Sequence, residues 1–197
     1  MEENSKLGLI DVFTGDGKGK TTAAFGLAFR ALGWGYRVYI LQFMKTGVYG
    51  ENKSAIMFDR NLKVDFVGMP YFIAWENEIP KEDLDKVKNV VICKKGHPPD
   101  DYRRAVKERF DRSLEELKSG KWDMFIYDEI NVALYYYLLS MEEVMEIFKA
   151  KPDHTELVFT GRKMPKEIME RADLITEVSS PRHPYQRGIL ARRGVDF

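Results

Sequence analysis

The sequence predicts an α/β protein with a mostly parallel, doubly wound sheet and helices on both faces. Short, nearly all-apolar runs recur along the chain, stretches of helical period alternate with them, and a glycine-rich turn follows the first run. Runs that are apolar on both sides suit strands covered on both faces, which is the condition of a parallel sheet. Leu7 to Phe13 is the first such run. Lys20 to Leu32 reads as a helix closed by Gly33 and Gly35, and Tyr36 to Leu41 as a strand again, so the opening is a βαβ unit with an expected right-handed crossover. Further strands are expected at Leu62 to Val67, Met124 to Tyr127, Leu157 to Thr160 and Leu174 to Val178. Helical patterns lie near Asp100 to Lys118, Asn131 to Leu139 and Met141 to Ala150. Ser140-Met141-Glu142-Glu143 has the spacing of a capping box, which places a helix start at Met141, and Pro165 suits the first turn of another short helix. From Met69 to His97, Pro70, Trp75, Pro80 and the charged run Lys81 to Lys88 break any simple period. A partly helical excursion lining a ligand site is expected there.

Composition bounds the function. The 197 residues are 44% hydrophobic and 13% aromatic, enough for one domain that buries roughly 70% of its unfolded surface. Disorder, collagen and a disulfide scaffold are excluded. No repeat, low-complexity tract or Gly/Ser linker divides the chain, so a single domain over 1–197 is expected, with an excursion at about 68–99 and a tail at about 181–197. Lys plus Arg and Asp plus Glu both number 31, so no global field draws the chain to nucleic acid or an anionic membrane. Cys93 alone can make neither an internal disulfide nor a thiolate metal cage. The start MEENSKLGLIDVF lacks a signal pattern, and no apolar stretch approaches the roughly 18 residues that span a bilayer. A soluble protein of a reducing cytoplasm is the expectation.

Thr14-Gly15-Asp16-Gly17-Lys18-Gly19-Lys20-Thr21-Thr22 stands between the first strand and the first helix, where a phosphate-binding loop must stand. Glycines let the backbone curl so that N–H groups point inward, the helix N-terminus adds partial positive charge, and Lys20 adds a full one. Thr21 has the placement of the hydroxyl that ligates Mg²⁺ in such loops. The general pattern has glycine where Thr14 stands, so the loop is a variant. Phe125-Ile126-Tyr127-Asp128-Glu129 is an apolar strand ending in two carboxylates, and a parallel sheet brings them to the same edge as the loop. One carboxylate can hold Mg²⁺ or its water shell, and the second could act as a base in a hydrolase. Lys45 follows the second strand toward that edge. Arg30 is almost three helical turns beyond Lys20 and reaches a nucleotide only if its side chain curls back or the phosphates run beyond the loop. His97, His154 and His183 show no ligand spacing. Tyr135-Tyr136-Tyr137 suits packing of a helix on the sheet, and Trp75, in the irregular stretch, is a ring that could cover a flat ligand.

Taken together, TGDGKGKTTAAFG with RALGWG, then QFMK, YDEI, HTELVFTGR, ADLITEV and RHPYQRGILARRGVDF resemble the P-loop type ATP:corrinoid adenosyltransferases of the cobalamin pathway, over most of the chain. That family shares the TGxGKGKTT variant. The resemblance implies a RecA-like α/β homodimer that transfers the 5′-deoxyadenosyl group of ATP to the cobalt of a reduced corrinoid, with Mg²⁺, and releases triphosphate. It implies that Gly15 to Thr22 hold the triphosphate, that Thr21 and Glu129 serve the metal with Asp128 beside them, and that Arg30 reaches the phosphates of a nucleotide seated in the reverse sense. It also implies an external reductant such as a reduced flavoprotein. The family's aromatic GFTW segment is replaced here by Val67-Gly68-Met69-Pro70-Tyr71-Phe72-Ile73-Ala74-Trp75. Phe72 and Trp75 are therefore the candidates for the wall that presses on the corrin and favours Co(I). A P-loop NTPase or small-molecule kinase, or a nucleotide-gated corrinoid-binding module, would use the same loop.

Overall fold

A computed structural model describes residues 7–47, 49–58, 60–76, 78, 89–189 and 191–196. In chain order these form β1 (Ile10–Thr14), α1 (Lys20–Gly33), β2 (Val38–Phe43), α2 (Gly50–Ala55), β3 (Leu62–Val67), β4 (Phe72–Trp75), β5 (Val90–Cys93), α3 (Asp100–Lys118), β6 (Met124–Asp128), α4 (Ile130–Tyr135), α5 (Met141–Ala150), β7 (Glu156–Thr160), α6 (Lys166–Met169) and β8 (Leu174–Glu177). Six strands make one sheet in the order β3-β2-β6-β7-β1-β8, every pair parallel. β4 and β5 form a separate parallel pair. The P-loop α/β fold expected from the sequence is present, and β7 lies between β1 and β6, as in the RecA-like arrangement.

Alternation along the central strands sorts side chains to the two faces. Tyr39, Leu41 and Phe43 of β2 enter one core with Tyr102, Val106, Phe110 and Leu117 of α3, while Val38 and Ile40 enter the other with Ala24, Ala28 and Ala31 of α1. Those alanines recur every three or four residues on one helix face and let α1 lie close to the sheet. α3 and α5 occupy the spans their periodicity predicts. The capping box of α5 is formed: Glu143 N–H donates to Ser140 Oγ at 3.2 Å and Ser140 N–H to Glu143 Oε2 at 2.7 Å.

Three differences from the sequence reading have physical causes. The irregular stretch contains β4 and β5 where partial helix was expected; Ile73, Ala74 and Trp75 are buried, so tertiary burial outweighs the weak local pattern. Pro80 and the charged run Lys81 to Lys88 lie outside the described residues. α2 was missed because Gly50 to Ala55 buries no residue and so carries no apolar period. α4 stops at Tyr135, short of the Leu139 expected, because the chain turns through Tyr137 at φ 53° before Ser140 caps α5.

β1 also carries an acid into the protein. Asp11 is buried, and burial first, then the nearby carboxylates of Glu156 and Asp173, push its pKa from 3.8 up to about 6. The folded state therefore keeps this proton to higher pH than the unfolded chain, and stability falls as pH rises from about 4 through about 6. Asp11→Asn removes the charge. The variant should melt about 2–4 °C above the parent at pH 7.5, the size of roughly 1 kcal/mol after solvent screening, and the gain should vanish near pH 4. Melting curves across that range check it.

Candidate functional site

The turn after β1 is shaped by what packs behind it. A Cβ on Gly15 would lie 2.5 Å from the Val178 carbonyl oxygen, and one on Gly17 2.5 Å from that of Ser179, so the segment after β8 leaves room only for glycine. Gly17 N–H donates to the same Val178 oxygen at 2.7 Å. Gly19, at φ 120°, has nothing behind it and faces the open side of the loop. Thr14, standing where the general pattern has glycine, is buried, and its Oγ1 accepts the Met164 N–H at 3.2 Å. The variant residue thus ties the loop to the segment after β7.

Lys20 opens α1 and is only 5% exposed. Its Nζ donates to the carbonyl oxygens of Gly15 at 2.8 Å and Gly17 at 2.7 Å, which holds the ammonium against the loop. Burial lowers its pKa, and the charge of Glu129 works the other way. One residue on, Thr21 Oγ1 donates to Asp128 Oδ1 at 2.8 Å. Asp128 is wholly buried at the end of β6, and its remaining partners come from the neighbouring strands: Thr160 of β7 on Oδ1 at 2.6 Å, Gln42 of β2 on Oδ2 at 2.9 Å, and Lys45, just past β2, on Oδ2 at 3.1 Å. Burial works against the Lys45 ammonium, but Asp128 and Glu51 outweigh it and raise its pKa.

Glu129 differs from its neighbour. Its backbone is left-handed, φ 61° and ψ 29°, with its N–H on Thr160 Oγ1 at 3.0 Å, and it lines a cavity of about 720 Å³. Burial, then the charge of Asp128, raises its pKa against the pull of Lys20, Lys45 and Arg162. Gly17, Lys18, Gly19, Lys20, Thr21 and Thr22 line the same cavity, together with Phe25, Lys45 and Tyr49. The tail forms part of its wall: Lys18 Nζ donates to the Val195 carbonyl at 2.9 Å and pairs with Asp196, which also accepts from Arg192 N–H and Nε.

Among the residues singled out from the sequence, the structure therefore brings together Lys20, Thr21, Lys45, Asp128 and Glu129. Asp16 is exposed and is not part of the cavity wall. Arg30 is exposed in the last turn of α1, also away from that wall. Trp75 is not a loop ring: it lies in β4, 3% exposed, against Tyr136 and Tyr137 at centroid distances of 5.3 and 6.1 Å. Phe72, three residues earlier on the same strand, is 67% exposed. Gln42, Thr160 and Arg162 were not singled out. Thr160 closes β7, Gln42 is one residue short of the end of β2 and Arg162 lies two residues past β7; a polar residue at the carboxyl end of an apolar strand is the signal, because in a parallel sheet that end faces the ligand edge.

A phosphate loop at the carboxyl end of an inner parallel strand, with its lysine folded into the loop and its threonine bonded to the acid that ends β6, defines a P-loop nucleotide-binding protein. Sequence comparison narrows the class. The profile of the family ATP:corrinoid adenosyltransferase BtuR/CobO/CobP matches residues 6–197, and the chain belongs to that family. It is 31% identical over 191 residues to a corrinoid adenosyltransferase of Sinorhizobium sp, covering 96% of this chain and 80% of that one. Identity is 31% over 190 residues to the corrinoid adenosyltransferase of Escherichia coli K12 and 30% over 190 to corrinoid adenosyltransferase CobA of Salmonella typhimurium LT2, each covering 96% of this chain and 86% of the relative. Among the described residues, no helix is long and apolar enough to cross a membrane.

Proposed function

We propose that this chain transfers the 5′-deoxyadenosyl group of ATP to the cobalt of a reduced Co(I) corrinoid and releases triphosphate. The observation that carries this reading is the match of the whole described chain to the corrinoid adenosyltransferase family, with the phosphate loop intact. The cobalt–C5′ bond forms as C5′–O breaks; cobalt supplies the electron pair, passing from Co(I) to the alkyl-Co(III) state, and the pair of the broken bond leaves on triphosphate. Because the metal of the substrate is the nucleophile, the protein needs no base. Its tasks are to hold C5′ in line and to stabilise charge growing on the leaving group. Lys20 and the loop N–H groups other than that of Gly17, which Val178 holds, serve the second task, with Thr14, Lys18 and Thr22 completing the loop, and Arg162 and Lys45 add positive charge at the cavity wall. Arg30 would contribute to the phosphates by swinging in from α1.

Mg²⁺ fits the donors present. Among the described residues there is no group of three His, Cys, Asp or Glu side chains placed to hold a metal, so the ion would rest on the Thr21 hydroxyl, the Glu129 carboxylate and phosphate oxygens, with Asp128 fixing Thr21. This sparse set of hard oxygens is what Mg²⁺ takes beside a polyphosphate. When bound, Mg²⁺ neutralises charge on the phosphate oxygens. Phe72, exposed on β4, is the ring offered to the corrin, while Trp75, three residues on, is buried against Tyr136. The same reading includes a homodimer folded as one unit over 1–197, a reduced flavoprotein as electron source and a cytoplasmic setting.

ATP, Mg²⁺ and chemically reduced cob(I)alamin test the reaction. The optical change of adenosylation together with triphosphate as product supports it; ADP, or no adenosyl–cobalt bond in a single turnover, overturns it. The tail gives a further prediction, since Lys18 holds it against the cavity it helps to line. Deleting residues 181–197 should raise KM for ATP and lower turnover about tenfold, with the sheet still folded, because one wall of the site is lost. Limited proteolysis checks the same contact: cleavage within the tail should slow when ATP and Mg²⁺ are added.

A further inference from the structure

Asp128 and Glu129 are adjacent in sequence, yet they face different surroundings, and one hydroxyl stands between them. Thr160, the last residue of β7, is wholly buried. Its Oγ1 donates to Asp128 Oδ1 at 2.6 Å and accepts the Glu129 N–H at 3.0 Å. A hydroxyl has one proton and two lone pairs, so both bonds form at once. Thr160 thereby serves two distinct ends. Toward Asp128 it completes a set of four donors, with Thr21, Gln42 and Lys45, that leaves both carboxylate oxygens engaged and the group fixed in place. Toward Glu129 it anchors the N–H of a non-glycine residue held at φ 61°, a conformation that persists only when its surroundings enforce it. That backbone turn is what carries the chain from buried Asp128 to Glu129 at the cavity wall.

Topology makes this hydroxyl hard to replace. β1, which bears the phosphate loop, and β6, which bears the acids, are not neighbours; β7 lies between them. Phe13 of β1 is in register with Thr160, and Gly161 N–H donates to the Phe13 carbonyl at 3.1 Å. The carboxyl end of β7 therefore touches both the strand of the loop and the two acids.

We propose that Thr160 is a positioning residue for adenosyl transfer, setting the Thr21–Asp128 contact and the Glu129 backbone to receive Mg²⁺ and triphosphate together. The proposal rests on the function proposed above for its chemistry, but its test separates the two. Thr160→Val keeps size and shape and removes both bonds; Thr160→Ser restores the hydroxyl without the methyl. Calorimetric titration of ATP at increasing Mg²⁺ reads the site with no corrinoid present. Thr160→Val should need about tenfold more Mg²⁺ for half-maximal ATP binding and lose roughly 10- to 100-fold in kcat, as for loss of an outer-shell metal partner, with KM for the corrinoid unchanged. Thr160→Ser should stay within about twofold of the parent on both readouts. If Thr160→Val does not fold, Thr160→Cys, with a weak donor of similar size, takes its place and should show the same loss. An unchanged Mg²⁺ dependence in a folded Val or Cys variant overturns the proposal, whatever happens to its melting temperature. A Ser variant as impaired as Val overturns it too, because the methyl's packing would then be what matters. A parent that binds Mg²⁺ and ATP but forms no adenosyl–cobalt bond overturns the proposed function and leaves the calorimetric comparison able to judge Thr160.

Discussion

Lys20→Ala should give a folded protein whose adenosylation turnover is about a thousand-fold lower, the upper end of what one preorganised donor contributes to a developing oxyanion. The ammonium is aimed into the loop by the Gly15 and Gly17 carbonyls and lies within the cavity wall. Its removal strips the triphosphate of the cation nearest the loop amides. The fold should tolerate the change, because burial already works against this charge. Melting temperature and turnover measured on the same preparation check both halves. Near-normal turnover in a folded variant would remove the phosphate loop from the reaction.

The paired acids should respond differently in stability. Asp128→Asn places an NH₂ among donors. Gln42 can turn its Oε1, which has no hydrogen-bond partner, toward that new NH₂, but Lys45 keeps only Glu51 and the face of Tyr49. A loss of about 2–3 kcal/mol is expected, and with it a melting temperature lower by about 4–10 °C. Glu129→Gln should leave the nucleotide-free protein as stable as the parent or slightly more so at pH 7. The raised pKa of Glu129 means that its stabilising contribution is complete at low pH and lost as pH rises through that pKa, so any gain in the variant should disappear in acid. Both variants should need about tenfold more Mg²⁺ in the assay, since each loses one anionic group beside the metal's oxygens. Paired melting and Mg²⁺ titration check the contrast; two acids that behave alike in stability would contradict the separate surroundings described here.

Much of this site was legible because its chemistry is local. Gly15 to Thr22 sit in unbroken sequence between a strand and a helix, and Asp128-Glu129 end an apolar run, so spacing alone marks them. The α3 and α5 spans were readable for the same reason, their periods being sustained and, at Ser140, capped. Gln42 and Thr160 join Asp128 only through the sheet order, which no single stretch of sequence states. Trp75 was misplaced because prolines on either side suggested a loop, whereas pairing of β4 with β5 and contact with Tyr136 hold it in a strand. Arg30 falls on the helix face opposite Ala24, Ala28 and Ala31, where its exposure follows from the period itself.

β1 has consequences for the order in which the protein assembles. Its sheet partners are β7 and β8, and Thr14 is bonded to Met164 across 150 residues of chain. Parallel pairings of such separation close long loops before they return any stabilisation, and they come late in folding. The glycine turn that grips phosphate is moulded on Val178 and Ser179, so a nascent chain that has reached only α5 holds every glycine of the motif without its shape. During synthesis, competence for nucleotide therefore arrives with the final strand rather than with the motif. ATP bound at that moment would favour the completed fold over partly built ones by mass action.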